Sequence, residues 1–197
     1  KEEALYTFGS ACVDSSIGEG SVIISDIGGG STEIIKGDKG CFLGAVSLPV
    51  GSVKLTEMFV KNDPPTINEL EALRDYVLGL LDTPFCAGII PDIFVGTGGT
   101  VTIVAGIIKG LQTFEKEKVH GCKIKLNDIK ALIAELKRLT SHERVMIKGM
   151  EMGREDILLQ GTILLEEIMK RFEKDEMLVS ANGVRYGVIF EALGKIS

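Results

Sequence analysis

Val22-Ile23-Ile24-Ser25-Asp26-Ile27-Gly28-Gly29-Gly30-Ser31-Thr32-Glu33-Ile34-Ile35 decides how this chain folds. An apolar, β-branched run brings Asp26 to the end of a strand, and three glycines follow. After them comes the β-prone Thr32–Ile35, not a helical pattern, so the element reads as a hairpin. Glycine lets main-chain N–H groups approach phosphate oxygens, and neighbouring carboxylates can hold the Mg²⁺ that accompanies polyanionic phosphate. A dinucleotide-binding loop would instead open a helix and seat its phosphates on the helix N-terminus. The stretch is therefore a candidate phosphate site. Asp26 and Glu33 are its candidate metal ligands, and Gly28, Gly29, Gly30 and Ser31 its candidate phosphate contacts.

Outward from the hairpin, the pattern alternates. Glu2 to Val13 has apolar residues at helical spacing, and a Gly18-Glu19-Gly20 turn leads into the strand Ser21–Ile27. Strands over Thr32–Lys36 and Cys41–Pro49 are joined by Gly37-Asp38-Lys39-Gly40. Helical patterns at Ser52–Lys61 and Ile67–Leu81 are separated by Asn62-Asp63-Pro64-Pro65, a strong breaker. Asp92–Val95 is a short strand, and Gly96-Thr97-Gly98-Gly99 opens a helix over Thr100–Ile108. Gly121–Leu126 is of uncertain type. Asn127 caps a helix over Asp128–Leu139, a long amphipathic helix covers Glu155 to Phe172, and Met177–Ser180 and Val184–Leu193 close the chain as strand and helix. The order βββαβαβα, with extra helices inserted, predicts an α/β domain: a mixed five-stranded sheet with right-handed crossovers and helices on both faces. No low-complexity linker divides it, so residues 1–197 read as one domain.

The chain has 197 residues, 45% hydrophobic and 25% charged, which is ample for a core. With 22 basic and 28 acidic side chains its net charge is −6. That argues against a nucleic-acid surface and against loose capture of polyphosphate, so an anion needs a local site. No apolar run is long enough for a membrane span. Cys12, Cys41, Cys86 and Cys122 are scattered without a CxxC pair, and read as reduced thiols of a cytoplasmic protein. His120 and His142 have no partner at metal-ligand spacing and read as surface or loop residues.

Five motifs in order resemble those of the exopolyphosphatase / guanosine pentaphosphate phosphohydrolase (Ppx/GppA phosphatase) family. They are Glu2-Glu3-Ala4, Asp26 to Glu33, Val95-Gly96-Thr97-Gly98-Gly99-Thr100, Gly153-Arg154-Glu155-Asp156-Ile157 with Gly161, and Val179 to Gly187. The resemblance covers essentially the whole chain. It implies one lobe of the ribonuclease H-like, actin-like ATPase fold, the C-terminal lobe of a two-lobed phosphatase core. The N-terminal lobe, which carries its own phosphate hairpin in such proteins, is expected to be missing from this chain.

The resemblance implies Mg²⁺-dependent hydrolysis of the terminal phosphoanhydride of inorganic polyphosphate or guanosine pentaphosphate. Such chemistry requires a positioned water, a group to deprotonate it, and cations or N–H donors on the phosphoryl group. By resemblance, Glu3 is the candidate general base and Arg154 a phosphate-binding arginine, able to bond bidentately. Gly98, Gly99 and Thr100 open a helix, whose N–H groups and dipole favour an anion. Bland readings stand beside these: Glu2 and Glu3 as first-turn helix charges, Gly98–Thr100 as a packing turn, and Arg154 paired with Glu151 or Asp156. The isolated lobe is expected to be inactive, and uncovered cleft surface could drive a homodimer. An actin-like kinase or ATPase lobe, and a non-catalytic polyphosphate or alarmone sensor, are the competing functions.

Overall fold

Asp26 and Glu33 face one another across an antiparallel hairpin, as their spacing predicts. In the computed structural model, which describes residues 2–12 and 20–193, strand β1 (Ser21–Ile27) pairs with β2 (Thr32–Asp38) in the register Asp26↔Glu33. β2 pairs in turn with β3 (Cys41–Leu48), while β4 (Ile93–Thr97) runs parallel to β1 on its other side. β5 (Lys123–Lys125) and β6 (Glu176–Val179) complete the sheet in the order β3-β2-β1-β4-β6-β5. The sheet thus has six strands among the described residues, where five were expected. The additional strand is β5, from the segment of uncertain type. Three residues are too few to show a period of two, and the pairing with β6 makes it a strand. The expected Val13 helix end and the Gly18-Glu19 turn lie outside the described residues.

Two apolar clusters sandwich the sheet. On one face α1 (Glu2–Cys12) lays Ala4, Phe8 and Ala11 over Val22, Ile24, Ile35 and Val95. The opposite face is covered by α2 (Ser52–Phe59), α3 (Ile67–Leu81), α4 (Gly99–Ile108), α6 (Leu126–Leu136) and α8 (Leu158–Arg171). Two short helices, α5 (Lys116–Val119) and α7 (Ser141–Arg144), lie in the connections. The last helix, α9 (Val184–Ala192), packs on α1. Their crossing is so close that a Cβ on Gly187 would collide with the Tyr6 carbonyl oxygen.

α8 departs from its expected form in two ways. It begins at Leu158, not at Glu155, because residues 151–157 form turns. It is also buried on all sides from Leu158 to Met169, so it is a central helix and not an amphipathic surface one. The two acidic residues within it, Glu166 and Glu167, are buried beside Arg74 of α3 and Lys170. Burial pushes the Glu166 carboxyl up, but hydrogen bonds from Lys170 and Arg74 outweigh it and hold the group below the usual range. α6 likewise starts one residue before the expected Asn127 cap, with Lys125 in the capping position.

Candidate phosphate site

β1, β4 and β6 run parallel, so their C-terminal ends share one edge of the sheet, with the Gly28–Ser31 and Gly98–Thr100 loops beyond them. In open α/β sheets that edge is where ligands bind. Alternation along β1 turns Asp26 to the same face as Val22 and Ile24, the face that α1 covers. Thr7 of α1 donates its hydroxyl to Asp26 Oδ2 at 3.3 Å. Ser47 of β3 donates to Glu33 Oε1 at 2.7 Å, steadying the second carboxylate. Glu3, exposed in the first turn of α1, lies near enough for its charge to act on Asp26.

These carboxylates shape each other. The Asp26 pKa is raised to about 6, first by burial and then by the Glu33 charge; Glu3 adds a smaller push, and the Thr7 hydrogen bond opposes them. Thr97, the parallel neighbour of Asp26, has a buried hydroxyl with no partner among the described residues. A half-buried carboxylate in an anionic field, beside an orphaned hydroxyl, suits a divalent cation with its water. Among the described residues no group of three or more His, Cys, Asp or Glu could hold a metal ion alone. Mg²⁺ here would draw on two carboxylates, water and phosphate oxygens, which is its usual habit.

The two glycine loops differ. Gly28 N–H donates to Ser31 O at 3.0 Å and is already used by the turn. Gly29, Gly30 and Ser31 keep N–H groups with no backbone partner among the described residues, and Gly30 has open space around it. The carbonyls of Gly28 and Gly29 accept from Ser52, Val53 and Lys54, so the hairpin itself satisfies the first turn of α2. At Gly98 the φ of +94° demands glycine, and a Cβ would stand 2.6 Å from Ile27 O and 2.8 Å from Asp26 Oδ1. The first turn of α4, starting at Gly99, therefore opens beside Asp26. Thr100 is buried, its side chain against Gly161 of α8, so what it can offer a phosphate is its N–H.

Arg154 lies four residues before α8, in a turn, not at the helix start. Its Nη2 is 3.5 Å from the Cβ position of Gly99, which puts the guanidinium at the mouth of the α4 turn. The ion pairs among the described residues involve Arg74, Lys118, Lys123, Lys170 and Arg171, so the bland alternative, a pair with Glu151 or Asp156, does not form among them. A cavity of about 220 Å³, lined by Thr102, Phe114, Met150 and Glu151 among others, adjoins both α4 and the Arg154 turn. Sequence reasoning missed Thr7 and Thr97. Thr97 sits inside a motif already singled out, whereas Thr7 carries no local signal.

A carboxylate pair across the β1–β2 hairpin, beside two glycine loops and an arginine without an ion pair among the described residues, is set on a mixed α/β sheet of the actin-like ATPase fold. The chain belongs to the Ppx/GppA phosphatase family, whose sequence profile matches residues 1–196. Exopolyphosphatase 2 of Mycobacterium tuberculosis is 26% identical over 200 residues, covering 98% of this chain and 62% of the relative. The guanosine-5'-triphosphate,3'-diphosphate pyrophosphatase of Vibrio atlanticus is 29% identical over 194 residues, 96% of this chain and 37% of that protein. The Aquifex aeolicus member of the Ppx/GppA family superposes with a TM-score of 0.89 at 33% identity, covering 98% of this chain and 62% of that structure. The chain thus spans less than two thirds of the length of these relatives.

Proposed function

We propose that the chain is the Mg²⁺- and phosphate-binding lobe of a hydrolase that removes the terminal phosphate of a polyphosphate or guanosine polyphosphate. One observation carries the reading: Asp26 and Glu33 are paired at the strand ends beside two glycine loops, with Glu3 near enough for its charge to act on Asp26 and no cationic side chain paired to any of them among the described residues. Asp26 and Glu33 would hold Mg²⁺, directly or through water. When bound, the cation would neutralise charge on the phosphoryl oxygens. Gly29, Gly30, Ser31 and the first turn of α4 supply N–H donors, and Arg154 a forked cation, to orient the phosphate chain. Glu3 would take the proton of the attacking water.

Because the site lies at one edge of this lobe, hydrolysis in our account requires a second lobe to close over it. The cavity beside α4 supports a nucleoside polyphosphate over a bare phosphate chain, since Phe114 and Met150 offer it an apolar wall. A cytoplasmic setting is supported by the four unpaired cysteines, and no described helix is long and apolar enough to cross a membrane.

Phosphate release from polyphosphate and from guanosine pentaphosphate, with Mg²⁺ and with the complete protein that carries this lobe, tests the proposal. Glu3→Gln is expected to lower kcat roughly 10²- to 10⁴-fold while substrate still binds. Binding without turnover in the unaltered protein would instead make it a sensor, and preference for ATP would make it a kinase-type lobe.

A further inference from the structure

Arg144 is an arginine where an apolar residue would be expected: only 1% of its surface is exposed. It stands at the end of α7, which is started by the Thr140 and Glu143 capping box and tied to Asp63 through Ser141. From there Nε donates to Leu136 O at 3.0 Å, at the end of α6, and Nη1 donates to Glu155 O at 3.1 Å. Nη2 is buried with no partner among the described residues. Neither carboxylate whose charge acts on it, Asp63 or Asp156, forms an ion pair with it among the described residues. Burying an uncompensated guanidinium is costly, and a leucine would fill the same volume at less expense. What an apolar residue cannot do is hold a backbone carbonyl.

The carbonyl it holds belongs to the residue after Arg154. The same turn is closed from its other side, since the Glu155 carboxylate accepts from Gly153 N at 2.7 Å. Arg154 itself is clamped through its main chain, with N–H donated to Glu151 O and its carbonyl accepting from Ile157 and Leu158. We infer that Arg144, with the Glu155 carboxylate, is a positioning residue that locks the 151–157 turn so that Arg154 faces Gly99. The inference rests on the phosphate reading of that site. A guanidinium on a four-atom stem loses much entropy when a phosphate fixes it, and a rigid turn reduces the part of that loss carried by the backbone.

The test is a double-mutant cycle on tripolyphosphate affinity with Mg²⁺, read by calorimetry, using Arg144→Lys, Arg154→Ala and their combination. Arg154→Ala is expected to weaken binding roughly 10- to 100-fold. Arg144→Lys keeps the charge but loses the two-pronged grip, and is expected to weaken binding roughly fivefold alone and not at all in the Arg154→Ala background. Equal losses in both backgrounds, or none in either, overturn the inference. Glu155→Ala, which alters no buried group, is expected to show the same dependence on Arg154; an effect independent of Arg154 counts against the lock.

If Arg154→Ala leaves affinity unchanged, the phosphate role of Arg154 fails. The lock is then judged by amide hydrogen exchange, which needs no ligand. Arg144→Lys should speed exchange at Ile157 and Leu158 at least roughly tenfold while β1 and β4 stay protected. Unchanged exchange there, or loss of protection throughout, refutes it.

Discussion

Asp26 is the residue at which the account is most exposed to measurement. Its folded pKa of about 6 stands above the ordinary aspartate value of 3.8, so folding takes up a proton at this group. The stability it contributes is complete below about pH 4 and is lost as the pH rises through about 6, up to roughly 3 kcal/mol in all. Urea unfolding across that window should therefore show a fall in stability that Asp26→Asn abolishes. A fall of equal size in the variant would mean that other groups titrate there. The strand-end carboxylates and glycine loops were legible in the sequence because phosphate chemistry needs those residue types close together. Thr7 was not, because it meets Asp26 only through the packing of α1 on the sheet, 19 positions away in sequence.

At the scale of elements, the seating of α1 decides whether Glu3 reaches the site at all. Phe8 and Ala11 anchor the helix to the sheet, and Gly187 lets α9 press against its Tyr6 carbonyl. Gly187→Ala introduces a methyl where there is no room, so the two helices must separate. The expected cost is about 1–3 kcal/mol, with faster amide exchange confined to α1 and α9. Normal protection of both helices would show that the crossing is soft. The strand order around the hairpin followed from alternating apolar runs and turn residues. Two features did not. β5 is too short to carry a period, and the turn before α8 is hidden because the Glu155 carboxylate closes it by accepting from Gly153 N–H, a bond that a helical count ignores. The full burial of α8 was equally hidden, since its pattern is amphipathic and Arg74 is brought beside Glu166 and Glu167 only by the packing of α3.

On the scale of the whole molecule, a net charge of −6 means that nothing draws polyphosphate in from a distance. On the proposed function, affinity would arise at one edge of the sheet, where β1 and β4 end side by side, and a cation would offset the carboxylates that the strand ends supply. In the proposed function the work is divided: Asp26 and Glu33 would hold the metal, the loops and Arg154 would bind phosphate, and Glu3 would act on water. Titrating the 197-residue chain with tripolyphosphate, with and without Mg²⁺, separates those roles most directly. The account predicts binding that depends on Mg²⁺, is lost in Asp26→Asn, and survives in Glu3→Gln. Binding of equal strength without Mg²⁺, or binding indifferent to Asp26→Asn, would contradict it.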